Sequence, residues 1–247
     1  MEFIGLIPAR YASTRFAGKP LVDIGGKTMI QRVYEQAQKV MPVVYVATDD
    51  ARIQTAVEDF GGKVVMTSSE ANSGTDRCAE AITKIQLDLG EDVAVVLNIQ
   101  GDEPFVAPEQ LQEIMQCFDS PEVQIATLVK AFEKGDDVSN PNHVKVVFSA
   151  ENTALYFSRS VIPYVRDVKG KVPVDNFFKH IGLYAYRTDI LKQLARLTPS
   201  TLEQAESLEQ LRWLENGYVV TVAVTQYDSF AVDIPEDIES LKRKGFF

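Results

Sequence analysis

The stretch Phe3-Ile4-Gly5-Leu6-Ile7-Pro8 is the first of several short apolar runs, and these runs decide the fold. Similar runs follow at Val43-Val44-Tyr45-Val46-Ala47, at Lys63 to Thr67 and at Asp92 to Ile99. Between them lie segments with helical periodicity, near Thr28 to Val40, Ala51 to Phe60, Thr75 to Leu89 and Pro108 to Phe118. Continuous apolar strands that alternate with helices predict a parallel sheet covered on both faces, so we expect a doubly wound α/β fold.

The middle of the chain has a different pattern. It is β-rich with little helix, over Val123 to Ala131, Val144 to Phe148, Ala154 to Ser158 and Ile181 to Tyr186. This pattern predicts an antiparallel or mixed extension of the sheet. A helix near Ser207 to Asn216, a strand at Tyr218 to Val224 and a helix at Pro235 to Lys244 follow. We expect a single domain over residues 1–247, with a core from about 1–120 and 218–247 and a lobe at 121–217.

Composition excludes several classes of function. The chain has 247 residues, of which 45% are hydrophobic and 24% charged, as in ordinary globular proteins. Its net charge of −10 argues against a protein that coats nucleic acid or a membrane surface. Cys78 and Cys117 lack metal-type spacing and fit a reducing compartment. Because no apolar run could span a bilayer and no basic-then-apolar leader is present, we expect a cytoplasmic protein.

The loop after the first strand is rich in cations. Arg10, Arg15 and Lys19 lie in a stretch without acidic residues, and ligands of such sheets bind beyond the carboxyl ends of the strands. Small residues such as Ser13 leave backbone N–H groups free to face an anion. The glycine fingerprint of dinucleotide-binding folds and the Walker pattern are both absent. A solvated basic loop is the alternative, but the position favours a cradle for a triphosphate.

The loop from Ile7 to Leu21 resembles the signature loop of the sugar-nucleotide cytidylyltransferases, in particular those acting on the sugar acid 3-deoxy-manno-octulosonate (KDO). The resemblance continues in order at residues 47–50, 73–77, 98–104, 156–159, 179–184, 208–212 and 232–233. It implies a mostly parallel, Rossmann-like nucleotidyltransferase sheet with a β-rich extension for sugar binding and dimerisation. It also implies a homodimer that transfers CMP from CTP to the anomeric hydroxyl of KDO, activating KDO for lipopolysaccharide biosynthesis.

By this resemblance, Asp102 and Asp233 are a metal-binding pair. Asp102 follows an apolar strand, and Asp233 is expected to end the last strand before Pro235. Chemistry on a nucleoside triphosphate needs a hard cation such as Mg²⁺, which binds carboxylates and phosphates. Asp102 could instead be an ordinary turn residue, and Asp233 could merely precede the helix that begins at Pro235. Arg10 and Lys19 complete the implied catalytic set by holding the phosphates.

Other polar residues are assigned to the two substrates. Arg77 opposes the dipole of the helix in which it lies, a conflict that a nearby nucleotide would remove. Arg159 is the best candidate for the carboxylate of the sugar acid because its fork binds bidentately, whereas Arg166 could pair with Asp167. The implied nucleotide-binding residues are Arg10, Ser13, Arg15, Lys19, Arg77 and Gln100. The implied sugar-binding residues are Gln100, Arg159, Arg166, His180, Tyr184, Glu209 and Gln210.

We therefore expect a Mg²⁺-dependent cytidylyltransferase whose partners are CTP and a sugar acid, with no nucleic-acid or membrane partner. The anomeric hydroxyl would attack the α-phosphate in line, assisted by positioning and charge neutralisation. Metal held by the two carboxylates would lower the pKa of that hydroxyl. Alternatives are an enzyme for a related sugar acid such as neuraminate and a non-catalytic CTP-binding regulator. A nicotinamide-dependent dehydrogenase is more distant, because the glycine fingerprint is missing.

Overall fold

The computed structural model describes residues 2–12, 16–71, 73–166, 174 and 176–247. Within them the strands are β1 (Phe3–Ala9), β2 (Val44–Thr48), β3 (Lys63–Met66), β4 (Val95–Asn98), β5 (Ile125–Ala131), β6 (Lys145–Phe148), β7 (Ala154–Ser158), β8 (Phe178–Arg187) and β9 (Val220–Val224). The α-helices are α1 (Met29–Gln38), α2 (Ala51–Asp59), α3 (Gly74–Leu89), α4 (Pro108–Gln116), α5 (Thr188–Leu194), α6 (Thr201–Glu206), α7 (Gln210–Glu215) and α8 (Pro235–Arg243). Short 3-10 helices lie at Lys19–Leu21 and Cys117–Asp119.

The chain divides into two compact units. The first comprises Met1–Gln112, Ala185–Ala195 and Ser229–Phe247, and the second comprises Glu113–Tyr184 and Arg196–Asp228. This division differs from the sequence-based one at residues 113–120, 185–195 and 218–228. Residues 185–195 belong to the first unit, where the N–H of Thr188 donates to the carbonyl of Ala94 at 3.0 Å. Residues 218–228 belong to the second unit because they contain β9, which pairs with β5.

The strand order in the first unit is β3-β2-β1-β4, and all three pairings are parallel. Leu6 and Ile7 of β1 are both fully buried. Since successive side chains of a strand point to opposite faces, both faces of the sheet are covered. The predicted α/β class with a mostly parallel, doubly covered sheet is confirmed. The carboxyl ends of β1 and β4 lie next to each other at one edge, where the predicted site residues begin.

The second unit has the mixed sheet that its sequence predicts. β5 pairs in parallel with β9, whereas β6 pairs antiparallel with both β7 and β8. The sequence pattern missed α6, which buries none of its residues and so lacks apolar periodicity. The sequence feature that could have predicted this helix is the capping box that Ser200 and Glu203 form at its start. The helix expected at 207–216 begins only at Gln210.

No helix in the described part of the chain is both long and apolar enough to cross a membrane.

Candidate active site

The close approach of two strand ends creates the site. A side chain at Gly101 would place its Cβ 2.8 Å from the backbone oxygen of Pro8, closer than a Cβ can lie to a carbonyl. Glycine therefore allows the turn after β4 to pack directly against the end of β1. As a consequence, Asp102 lies at the same edge of the sheet as Arg10.

A pocket of about 240 Å³ opens at this edge. It is lined by the end of β1, the 3-10 helix at Lys19, the first turn of α3 and the turn after β4. Five predicted site residues contribute to its walls, namely Arg10, Lys19, Arg77, Gln100 and Asp102. Two others, Ser13 and Arg15, lie outside the described residues. The structure thus gathers most of the predicted nucleotide-binding set in one place, while the ligand itself stays a prediction.

The two predicted metal ligands converge on one ammonium group. Nζ of Lys19 lies 2.7 Å from Oδ2 of Asp102 and 3.4 Å from Oδ1 of Asp233. The backbone joins the same two segments, since the N–H of Val232 donates to the carbonyl of Asp102 at 2.9 Å. Gly18 precedes Lys19 with a φ of +70°, a left-handed conformation that glycine adopts without strain. The positive charge of Lys19 therefore lies between two carboxylates, Asp102 and Asp233, that are far from it in the sequence.

Asp237 holds the segment that carries Asp233. Its Oδ2 accepts hydrogen bonds from the N–H of Asp233 at 2.8 Å and from that of Ile234 at 3.0 Å. Ile234 occupies the N-cap of α8 and has no side-chain acceptor of its own, and Asp237, at the third helical position, accepts from the N–H groups that precede the helix. The sequence analysis missed this role, although an acid at that position is a recognisable capping signal.

Glu103 is buried beside Asp102 and has a different environment. The pKa of Glu103 is raised to about 7, chiefly by burial and to a smaller extent by the charge of Asp102, against a hydrogen bond with Ser229 that lowers it. No group of three or more His, Cys, Asp or Glu side chains in the described residues is arranged to hold a metal ion. The candidate metal ligands are accordingly the pair Asp102 and Asp233, with the remaining positions left to substrate or water.

Arg77 has protein partners that the sequence did not indicate. It is 4% exposed, its Nη1 donates to Oγ1 of Thr67 at 2.5 Å, and its Nη2 lies 3.4 Å from a carboxylate oxygen of Asp49. These acceptors offset the conflict between its charge and the helix dipole. A bound nucleotide is therefore not required to explain a cation at this helix N-terminus, although Arg77 still lines the pocket. Asp49 was missed because it lies on another element.

His180 lies in the second unit among aromatic side chains. Its Nε2 is 3.0 Å from Oγ1 of Thr127, and its ring centroid is 5.1 Å from that of Phe157 and 5.3 Å from that of Tyr184. Burial lowers the pKa of His180 to about 3, so the imidazole is neutral at pH 7. Burial and the nearby Glu209 raise the pKa of Tyr184 well above its ordinary value. Both groups are thus uncharged hydrogen-bonding groups.

The remaining predicted sugar contacts also lie in the second unit. Gln210 is 5% exposed, and its Nε2 has no hydrogen-bond partner among the described residues. Glu209 precedes α7 at its N-cap. Arg166 is exposed, and its alternative partner Asp167 lies outside the described residues. Arg159 is held by several backbone carbonyls. The assignment of these residues to a sugar acid stays a prediction.

Asp233 does not end a strand as expected, because β9 ends at Val224, but it reaches the same ammonium as Asp102. A parallel α/β sheet with cations and a carboxylate beyond its strand ends, and a second carboxylate beside them, suits a nucleotidyltransferase. A family model described as cytidylyltransferase matches residues 4–230. A 3-deoxy-manno-octulosonate cytidylyltransferase of Parabacteroides distasonis is 58% identical over 97% of this chain and 96% of its own length. An 8-amino-3,8-dideoxy-manno-octulosonate cytidylyltransferase of Shewanella piezotolerans is 51% identical over 94% of each chain.

A solved structure supports the same relationship. The structure of a CMP:2-keto-3-deoxy-manno-octonic acid synthetase complexed with CTP is 41% identical to this chain. The match covers 99% of this chain and 98% of the other, with a TM-score of 0.88. The chain belongs to the cytidylyltransferase family.

Proposed function

We propose that this chain is a Mg²⁺-dependent 3-deoxy-manno-octulosonate cytidylyltransferase. It would transfer CMP from CTP to the anomeric hydroxyl of KDO and release pyrophosphate. The observation that carries this proposal is the convergence of Arg10, Lys19, Arg77, Gln100 and Asp102 on one pocket at the carboxyl ends of parallel strands. The identity of 58% to a relative of that name supports the choice of substrate.

The cations of the pocket would hold the triphosphate. Arg10 is exposed at the end of β1, and Lys19 reaches the same pocket from the following 3-10 helix. A guanidinium binds phosphate oxygens bidentately, while an ammonium acts as a point charge. Phosphoryl transfer asks for little covalent chemistry from the protein. These two side chains would accordingly act by aligning CTP and by neutralising the charge that builds on pyrophosphate as it leaves.

Asp102 and Asp233 fit a magnesium ion. Their oxygens approach a single cationic centre in this structure, at 2.7 and 3.4 Å, and carboxylate oxygens are the ligands that Mg²⁺ prefers in proteins. When bound, such an ion supplies Lewis-acid activation of the hydroxyl and of the phosphate. Asp237 would keep Asp233 in place through its backbone hydrogen bonds.

The assembly state and location are part of the same proposal. We expect a homodimer, which is supported by the apolar side chains that the second unit exposes, such as Leu155 at 61%, Val219 at 53% and Val224 at 46%. We expect a cytoplasmic location, which is supported by the free thiols of Cys78 and Cys117. Light scattering of the purified protein tests the dimer.

The deciding experiment is a substrate panel. The protein is incubated with CTP and Mg²⁺ together with KDO, its 8-amino-3,8-dideoxy analogue or neuraminate, and pyrophosphate release is measured. We expect turnover with KDO above that with the other two acids. Highest turnover with another acid would assign the chain to that substrate. CTP binding without pyrophosphate release from any acid would favour a regulator, and equal rates with ATP would contradict the cytidylyltransferase assignment.

A further inference from the structure

Lys145 is a fully buried cation that the proposed chemistry does not use. It lies at the start of β6 and is 0% exposed. Its Nζ donates to the backbone carbonyl of Arg159 at 2.6 Å and to that of Asn140 at 3.0 Å. Burial lowers the pKa of this ammonium. Enclosing a charged group costs free energy unless it is well hydrogen-bonded, so a lysine at this position calls for a physical reason.

Glu206 binds the backbone of Arg159 on the side opposite to Lys145. Its Oε2 accepts a hydrogen bond from the N–H of Arg159 at 2.9 Å, and its Oε1 accepts one from Oγ of Ser158 at 2.6 Å. The N–H of Arg159 is therefore bound by a carboxylate, and its carbonyl by an ammonium. Both are charge-assisted hydrogen bonds, which are about twice as strong as neutral ones. The backbone of Arg159 is fixed from both sides.

The guanidinium of Arg159 is oriented by backbone carbonyls. Nε donates to the carbonyl of Glu206 at 2.7 Å, Nη1 to that of Pro141 at 3.1 Å and Nη2 to that of Ser207 at 3.3 Å. A guanidinium has about five N–H donors, so among the described residues each of its terminal nitrogens has a second donor that these bonds do not use. A guanidinium that presents two N–H donors side by side binds a carboxylate bidentately. Of the charges on Lys145, Arg159 and Glu206, one positive charge remains for an anion.

We propose that Lys145 and Glu206 are positioning residues that hold the guanidinium of Arg159 in the orientation that binds the carboxylate of the sugar acid. This inference rests on the proposed function, because it presumes a sugar-acid substrate. A misplacement of about 1 Å in a substrate-binding group can cost about a hundredfold in rate. Two charge-assisted hydrogen bonds to the backbone of one residue are a means of preventing such movement.

The test separates the two substrates kinetically. Lys145→Met and Glu206→Ala are made in the full chain, and the KM values for KDO and for CTP are measured by pyrophosphate release. We expect the KM for KDO to rise about tenfold or more in each variant, with the KM for CTP within about twofold of wild type. Glu206→Gln should recover most of the loss, because its amide can accept from the N–H of Arg159 and donate to Ser158.

Lys130 provides a matched control. It is another buried lysine of the second unit, with a side chain 5% exposed, and it pairs with Asp228 at 2.7 Å and Glu133 at 2.9 Å. Lys130→Met should lower thermal stability and leave the KM for KDO unchanged. An unchanged KM for KDO in folded Glu206→Ala would overturn the proposal even if Lys145→Met fails to fold. A rise in Lys130→Met equal to that in Lys145→Met would overturn it as well.

The variant Arg159→Lys shows how much the KM for KDO rises when the guanidinium itself is lost. If Arg159 binds the carboxylate, this variant should raise the KM for KDO at least as much as Lys145→Met does. An unchanged KM for KDO in Arg159→Lys would overturn the positioning role while leaving the cytidylyltransferase assignment intact. Failure of the wild-type protein to release pyrophosphate with any sugar acid would instead overturn the proposed function itself.

Discussion

The ammonium of Lys19 lies 2.7 Å from Oδ2 of Asp102, so a cation predicted to hold phosphate is in contact with a carboxylate predicted to hold metal. Asp233 approaches the same nitrogen at 3.4 Å. The cluster of these three side chains carries one more negative than positive charge and therefore attracts a further cation. Under the proposed function, this cluster would link the binding of phosphates to the binding of metal.

Replacement of Lys19 should reduce use of CTP. Lys19→Met removes the ammonium that is proposed to bind the phosphates, and loss of one preorganised charged donor costs about 10²- to 10³-fold in rate. We expect kcat/KM for CTP to fall by that factor, measured by pyrophosphate release. Lys27→Met is the control, because Lys27 is 43% exposed and pairs with Glu35. Equal kcat/KM in Lys19→Met and wild type would remove Lys19 from the catalytic set.

Replacement of Asp102 should abolish metal-dependent turnover. Asp102→Asn keeps the shape of the side chain but removes the charge that a hard cation requires. We expect the rate with Mg²⁺ to fall by several orders of magnitude, and we expect chelation of metal to stop wild-type turnover. The exposed Asp59 on α2 provides Asp59→Asn as a control with wild-type rate. Turnover that survives in Asp102→Asn with Mg²⁺ present would contradict the proposed mechanism.

Asp237 should affect stability and rate together. Asp237→Ala leaves the N–H groups of Asp233 and Ile234 without their acceptor, and loss of such a cap costs about 1 kcal/mol of unfolding free energy. We expect that loss in urea unfolding, together with slower turnover because Asp233 is less firmly placed. Asp237→Asn, which keeps an acceptor oxygen, should retain more of both. Glu236→Ala in the same exposed turn is the control, and an equal effect there would argue against this role.

His180 should make stability depend on pH. Its pKa is lowered by burial from 6.5 to about 3, so below pH 6.5 the unfolded chain binds a proton that the folded chain does not. The free energy of unfolding should therefore decrease as the pH is lowered, by about 1.4 kcal/mol per pH unit between roughly pH 6 and pH 4. Urea unfolding of His180→Gln should lack this contribution relative to wild type.

The second histidine is the control for that measurement. The chain has only His143 and His180, and His143→Gln should retain the pH dependence of the wild type. Parallel stability curves for wild type and His180→Gln across this range would show that the imidazole of His180 is accessible to protons in the folded protein.

Much of the pocket was predictable because its residues follow strands directly. Arg10 follows β1, and Gln100 and Asp102 follow β4. The carboxyl ends of adjacent parallel strands meet at one edge, so correct strand assignment places these side chains together. The pairing of Arg77 with Asp49 was not predictable in this way. It depends on where α3 lies against the end of β2, which no local pattern specifies.

The α/β class, the alternation of strands and helices from β1 to α4 and the positions of Arg10, Lys19 and Asp102 beyond strand ends followed from the amino-acid sequence alone, whereas α5 was not predicted. Hydrophobic periodicity and turn residues are local, so these features can be inferred without packing. The contacts of Lys19 with Asp102 and Asp233, and those of Lys145 and Glu206 with Arg159, became known from the folded chain. These contacts join residues remote along the chain, and their distances depend on how side chains pack once the whole fold has formed.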